Sequence, residues 1–95
     1  MDLKNETELL EEIKRDNGQA FHYLFSRYYR RLLGYASRFV DNYTVAEDLV
    51  QDSFARLWEK RKALEAVSLS ALLFTMVRNN CLNHLKRQAL VGIHS

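Results

Sequence analysis

Apolar side chains recur at steps of three and four residues along most of the chain, which is the spacing of one face of an α-helix. The longest such stripe is rich in aromatic residues and predicts a helix over about residues 19–40. Its members are Phe21, Leu24, Phe25, Tyr28, Leu32, Tyr35, Ala36 and Phe39. A shorter helix is predicted over about residues 7–16, with Asn5 as its N-cap and Asn17-Gly18 as its stop. No stretch shows the two-residue alternation that is typical of a half-buried β-strand.

A third helix is predicted to run to about Arg61, because apolar residues again fall on one side of the segment that follows Asp41. Thr44 and Glu47 have the spacing of a capping box, in which two side chains satisfy free backbone N–H groups at the start of a helix. The apolar stripe of this helix consists of Ala46, Leu49, Val50, Phe54, Leu57 and Trp58.

Residues 62–67 are predicted to form a loop, and Ser68 or Ser70 is predicted to cap a fourth helix that ends at about Gln88. Short connections between amphipathic helices favour close packing of neighbouring helices. The predicted fold class is therefore all-α, a compact bundle of about four helices.

The composition agrees with one packed domain. The chain has 95 residues, of which 47% are hydrophobic and 27% are charged, with no Pro and only three Gly. Its apolar runs are far shorter than the roughly 20 residues of a membrane-spanning helix, and residues 1–5 lack the apolar stretch of a secretory signal. We therefore expect a cytoplasmic protein without membrane insertion.

Little in the sequence indicates an enzyme. Cys81 is the only cysteine, so it cannot close an internal disulfide, and we expect it to be a small core residue. Three scattered His residues give no zinc-ligand spacing, and neither a Gly-rich phosphate loop nor a nucleophile elbow occurs. We expect no catalytic residue, no metal and no cofactor.

Charge is unevenly distributed along the chain. Residues 1–16 carry six acids and three bases, and residues 17–40 carry four Arg and no acid. Residues 41–65 carry six acids and four bases, and residues 66–95 carry three bases and no acid. Blocks of alternating sign suggest separate surfaces for different partners.

The charged side of the third helix is a candidate docking surface. Asp48 and Asp52 lie four residues apart, together with Gln51, so like charges repel one another by a few tenths of a kcal/mol. The pair that Asp52 forms with Arg56 offsets this only in part. Binding of a partner would explain the arrangement, and an ordinary solvated helix face is the alternative.

The fourth helix changes character along its length. Its apolar stripe of Leu69, Leu73, Met76 and Val77 continues in register into Asn80, His84 and Arg87, beside a second stripe of Thr75, Asn79, Asn83 and Lys86. Asn side chains can read base edges, and Arg and Lys can neutralise phosphates, so this face suits nucleic acid. The alternative is a polar helix end whose bases complement the helix dipole.

Three segments on these helices resemble a known family, the extracytoplasmic-function sigma factors of the sigma-70 class. Residues 46–58 (AEDLVQDSFARLW) resemble region 2.2 of that family, and residues 72–87 (LLFTMVRNNCLNHLKR) resemble regions 2.3 and 2.4. Residues 20–33 are similar to the start of region 2. The resemblance covers about residues 6–88, and its motifs occur in the expected order and at the expected separation.

The resemblance implies a domain of the sigma region 2 type that acts in transcription initiation. In that family, the region 2.2 helix binds the clamp helices of the β′ subunit of core RNA polymerase. On this chain the matching positions are Asp48, Gln51, Asp52, Arg56 and Leu57.

The fourth helix and the loop before it resemble the elements that open the −10 promoter element and hold the non-template strand. The loop, residues 61–69, would capture a flipped base. The implied DNA-binding residues are Arg61, Lys62, Arg78, Asn79, Asn80, Asn83, His84, Lys86 and Arg87.

We expect residues 1–90 to form the region 2 domain and residues 91–95 to begin a linker or tail. Family members normally continue into a second domain that reads the −35 element, and this chain ends at Ser95, so we do not expect full sigma activity from it alone. An anti-sigma factor is a further candidate partner. The alternative function is a helical protein-interaction module without DNA contact.

Overall fold

The computed structural model describes residues 5–65 and 68–94. Within these residues the chain forms α-helices α1 (Glu6–Lys14), α2 (Gly18–Ala36), α3 (Tyr43–Glu59) and α4 (Leu69–His94), and a short 3-10 helix, Arg61–Ala63, follows α3. No strand occurs in the described part of the chain. The predicted all-α bundle is confirmed.

Helices α2, α3 and α4 pack pairwise against one another, and α1 packs on α2. The predicted apolar stripes supply the core, in which Leu24, Val50 and Leu73 are fully buried. Aromatic rings also pack between α2 and α3. The centroids of the Phe25 and Phe54 rings lie 4.7 Å apart. The three longer helices therefore form the body of the domain.

The N-cap of α3 differs from the prediction. Asn42, and not Thr44, caps the helix: its side-chain oxygen accepts the backbone N–H of Val45 at a donor to acceptor distance of 3.1 Å. The predicted capping box of Thr44 and Glu47 is wrong, because the helix already begins at Tyr43 and Glu47 instead accepts the hydroxyl of Tyr29 at 3.5 Å. A cap residue must lie outside the first helical turn.

Two other helix ends also differ from their predicted positions. Helix α2 ends at Ala36, earlier than predicted, and the Ser37 hydroxyl donates to the carbonyl of Leu33 at 2.9 Å. Helix α4 continues past Gln88 to His94, since no Pro interrupts the segment. Residues 91–94 therefore prolong α4, while Ser95 lies outside the described residues.

Helix α4 is buried on one side in its first half only. Leu69, Leu73, Val77 and Cys81 follow one another at steps of four residues and are fully buried. This confirms Cys81 as a core residue, and burial raises the pKa of its thiol. Beyond this point every described side chain from Leu85 onward is exposed, so α4 projects from the bundle. The described residues contain no helix that is long and apolar enough to cross a membrane.

The start of α4 depends on a side chain from α1. The Glu6 carboxylate accepts the backbone N–H of Leu69 at 3.1 Å and that of Ser70 at 3.3 Å. Ser68 completes the cap, because its hydroxyl oxygen accepts the N–H of Ala71 at 3.3 Å, as predicted from the sequence. Burial alone would raise the pKa of Glu6, but these hydrogen bonds more than offset it and lower the pKa.

We expect Glu6→Gln to lower the free energy of unfolding by about 1 kcal/mol at neutral pH, because it removes the charge that caps α4. A carboxylate with a lowered folded-state pKa stabilises the protein above its unfolded-state pKa, and this contribution is lost as the pH falls through the folded-state pKa. The difference between the wild type and Glu6→Gln should therefore disappear in acid. Urea unfolding at neutral and acidic pH measures both values.

Glu8→Gln is the matched control, because Glu8 is also an acid in the first turn of α1 and is exposed. It changes the net charge equally and leaves the cap of α4 intact. Equal destabilisation by the two variants would show that Glu6 acts only on its own helix.

Candidate functional site

The exposed side of α3 carries the side chains predicted for a protein partner. Asp48, Gln51, Asp52 and Arg56 are all exposed, and we call these four residues the α3 surface. Arg56 Nε lies 3.0 Å from Asp52 Oδ2, with about half of each side chain exposed. The structure therefore brings these residues together on one face, as their helical spacing predicted.

Leu57 does not belong to the α3 surface. Its side chain is only 1% exposed, so a partner that docks on the domain cannot contact it. The apolar stripe of α3 places Leu57 on the opposite side of the helix, where it joins the core cluster. Its predicted role in binding polymerase is wrong for this physical reason.

The exposed side of α4 carries most of the side chains predicted for nucleic acid. We call this set of exposed residues the α4 surface: Arg78, Asn79, Asn83, Lys86 and Arg87. His84 is half-buried beside it. No acid occurs between residues 66 and 95, so no carboxylate of α4 competes with a phosphate for these bases.

An apolar strip lies within the α4 surface and was not predicted. An open groove between Asn79, Asn83 and Lys86 is also lined by Leu82, Leu85 and Ala89. Leu85 is 39% exposed and Leu82 is half-buried. The signal for this strip in the sequence is Leu85, which lies off the core stripe of α4. Apolar side chains can pack against a base that has left the stack.

Asn80 is half-buried and its amide nitrogen points towards α3. Its amide nitrogen donates to the hydroxyl oxygen of Ser53 at 2.8 Å and lies 3.4 Å from Asp52 Oδ2. Ser53 is fully buried, and its own hydroxyl donates to the carbonyl of Leu49 at 2.9 Å. The amide nitrogen of Asn80 thus joins α4 to α3, and the contact of Asn80 with DNA stays a prediction.

Arg61 and Lys62 are also engaged within the protein. Arg61 Nε lies 2.8 Å from Asp16 Oδ1, and Lys62 Nζ lies 2.9 Å from the same oxygen. The Arg61 guanidinium stacks on the ring of Trp58 at 4.0 Å from the ring centroid. Hydrogen bonds from Lys62 and Arg61 lower the pKa of Asp16. Both cations thus lie at the start of the predicted base-capturing loop, of which residues 66 and 67 lie outside the described part.

Asp16 was missed by the sequence analysis. It lies two residues after the end of α1 and its φ angle is 67°, in the left-handed region that Asp and Asn tolerate better than most residues. Its partners lie 45 and 46 residues further along the chain, so no local pattern could reveal the contact.

Comparison with known proteins gives a family and a fold. The family model described as Sigma-70 region 2 matches residues 24–91. Among solved structures, the chain is similar to the NMR structure of an engineered region 2 of sigmaE in complex with GTAAAA, with a TM-score of 0.80. The two share 23% sequence identity, and the match covers 94% of this chain and 95% of that chain. No curated protein matches the chain.

We expect Asn80→Ala to lower the free energy of unfolding by about 1 kcal/mol, because the hydrogen bond to the buried Ser53 is lost. The loss should not be larger, since Ser53 keeps its bond to the Leu49 carbonyl. In a double-mutant cycle, Ser53→Ala and Asn80→Ala should cost less together than the sum of their separate effects. Chemical denaturation of the four proteins measures this coupling.

Asn79→Ala is the control for the helix itself, because Asn79 is the neighbouring residue in α4 and is exposed. Its effect should stay within about 0.5 kcal/mol. Additive effects in the Ser53 and Asn80 cycle would refute the link between α3 and α4.

Proposed function

The chain belongs to the sigma-70 region 2 family, and we propose that it binds core RNA polymerase through α3 and single-stranded DNA of the −10 promoter element through α4. The predicted resemblance to region 2 is confirmed by the family match, and the predicted fold by the likeness to region 2 of sigmaE, an extracytoplasmic-function factor. Membership of this family supports a role in promoter recognition and transcription initiation.

One observation carries the proposal. Helices α3 and α4 pack against each other, yet they expose surfaces of different charge. The α3 surface holds two carboxylates, one amide and one guanidinium, whereas the α4 surface holds three bases and two amides and has no acid. Two adjacent faces of this kind can bind a protein and a nucleic acid at the same time, without competing for the same side chains.

The α3 surface suits a helical protein partner that offers hydrogen-bond donors and positive charge. Asp48 and Asp52 are exposed on one face, and neither supports the core. Asp52 pairs with Arg56, which lies four residues further along α3. Among the described residues, Asp48 has no such ion pair. By family resemblance, we propose the clamp helices of the β′ subunit as this partner, with Asp48, Gln51, Asp52 and Arg56 as the contacts.

The α4 surface suits a single strand better than a duplex. Asn79 and Asn83 flank an apolar strip that can contact base faces, and Lys86 lies in the same groove. Arg78 and Arg87 add positive charge for the backbone. The similar region 2 of sigmaE was solved in complex with GTAAAA, which supports a short nucleic acid as the ligand.

Strand opening would draw on the capture of unstacked bases, each worth about 1 to 3 kcal/mol. No catalysis, metal or cofactor is required for this function. We further propose that residues 1–90 are the region 2 unit, that the chain acts in the cytoplasm beside polymerase, and that an anti-sigma factor could cover the same surfaces.

We expect Asp52→Lys to abolish binding to an isolated β′ clamp-helix fragment from the same organism, because it places a positive charge at the centre of the α3 surface. Isothermal titration with the folded wild-type domain provides the reference affinity. Asp41→Lys is the control, because Asp41 is an exposed acid in the turn before α3 and the substitution changes the net charge equally. No binding by the wild-type domain would contradict the assignment of α3.

We expect the double variant Lys86→Glu/Arg87→Glu to weaken binding to single-stranded DNA at least about tenfold at low salt and to flatten the salt dependence. Removal of two phosphate contacts should reduce the slope of log K against log salt by about 1.4. Fluorescence anisotropy with a labelled oligonucleotide measures both quantities.

The matched control is Arg30→Glu/Arg31→Glu, which reverses two adjacent exposed bases on α2. If both double variants weaken DNA binding equally, the interaction depends on net charge and not on the α4 surface. If the wild-type domain does not bind the oligonucleotide, while it still binds the polymerase fragment, the domain is a protein-interaction module.

A further inference from the structure

Two cations at the start of the loop after α3 converge on one carboxylate oxygen. Arg61 Nε and Lys62 Nζ lie 2.8 Å and 2.9 Å from Asp16 Oδ1. Proteins also bind a phosphate oxygen in this way, with two cationic donors on one anionic oxygen. The pair of cations is therefore a preformed anion site, and an acid of the protein itself fills it.

The backbone explains how Asp16 reaches this position. Its φ angle of 67° turns the chain sharply after α1, and the turn is fixed by a hydrogen bond from the Asn17 N–H to the Glu12 carbonyl at 3.0 Å. Gly or Asn would serve this turn equally well. Turn geometry alone does not call for a carboxylate here, whereas the pairing with Arg61 and Lys62 does.

The contact to Asp16 is weak enough to exchange. Asp16 and Lys62 are 53% and 61% exposed, and exposed ion pairs contribute little because water and salt screen them. Arg61 is held independently of Asp16, since its guanidinium stacks on Trp58 and donates to the Trp58 carbonyl at 2.6 Å. Loss of the carboxylate would leave this guanidinium in place.

We propose that Arg61 and Lys62 form a binding site for a backbone phosphate of single-stranded DNA, and that Asp16 occupies this site as an internal competitor in the free domain. The inference rests on the proposed function, because it takes the −10 strand as the source of the phosphate. Binding exchanges one anion for another at the two cations. The domain thus has a lower affinity for nucleic acid than its exposed bases alone would give it.

The exchange changes the salt dependence in a defined way. When a phosphate replaces Asp16, the freed carboxylate attracts a cation from solution, which cancels part of the counterion release from the DNA. Without the carboxylate, all of that release contributes. The slope of log K against log salt should then be steeper by a fraction of about 0.7, the value for one neutralised phosphate on a single strand, because a lone carboxylate attracts counterions more weakly than a DNA strand does.

The variant that tests the proposal is Asp16→Asn, because Asn tolerates the left-handed backbone and lacks the charge. We expect its affinity for a labelled single-stranded oligonucleotide pool of random sequence to rise about two- to fivefold at low salt, the range for release of one exposed ion pair. The salt slope should steepen as described above. Fluorescence anisotropy over a salt series gives both values, and thermal unfolding checks that the fold is retained.

Two controls isolate the site. Glu8→Gln changes the net charge equally at the other end of α1 and should leave both values unchanged. Lys62→Gln removes one of the two cations, so adding Asp16→Asn to it should give a clearly smaller gain than in the wild type. An equal gain in the two backgrounds would overturn the proposal, as would unchanged or weaker binding by Asp16→Asn.

Failure of this proposal can be told apart from failure of the proposed function. If the wild type binds the strand and the variant Lys86→Glu/Arg87→Glu binds it much more weakly, the proposed role of the α4 surface is supported. This conclusion does not depend on the result for Asp16→Asn. If neither the wild type nor Asp16→Asn binds single-stranded DNA, both proposals are overturned. Binding of the clamp-helix fragment should be the same for the wild type and Asp16→Asn, because Asp16 lies outside the α3 surface.

Discussion

The rotation of α4 about its own axis decides what the domain can bind. Leu69, Leu73, Val77 and Cys81 are buried against the other helices at steps of four residues. Because a helix turns by about 100° per residue, burying this line fixes the direction of every other side chain. Asn79, Asn83 and Lys86 then face outward together, and Asn80 faces α3. The nucleic-acid surface is thus a consequence of core packing.

Helix α1 buries Leu9, Leu10 and Ile13 in the core, and the ends of α1 and its flanking turn also make polar contacts near the loop. Glu6 caps the start of α4, Asp16 pairs with the residues after α3, and Lys14 Nζ donates to the carbonyl of Leu64 at 2.5 Å. These contacts join residues that are 45 to 63 positions apart in the sequence. Because such contacts are polar and partly exposed, they can order the ends of the loop without locking it as an apolar core would.

Sequence patterns predicted the parts of the structure that repeat along a helix. The core stripes, the Asn5 and Ser68 caps and the exposed α3 and α4 surfaces all follow from local spacing. The Thr44 capping box failed because Asn42 offered an equally good local cap two residues earlier. The sequence could not reveal the Asn80 and Asp16 contacts, because their partners lie 27 and 45 residues away and show no periodicity.

The uninterrupted course of α4 also constrains how this sequence can change. Substitutions on the exposed side leave the position of the neighbouring side chains intact, so the surface can diverge one residue at a time. An inserted or deleted residue between Val77 and Asn83 would instead rotate everything beyond it by about 100° relative to the core. The same change after Ala89 would only alter the length of the projecting end. The exposed side of the first half of α4 should therefore tolerate variation in chemistry, whereas the length of this segment should be fixed.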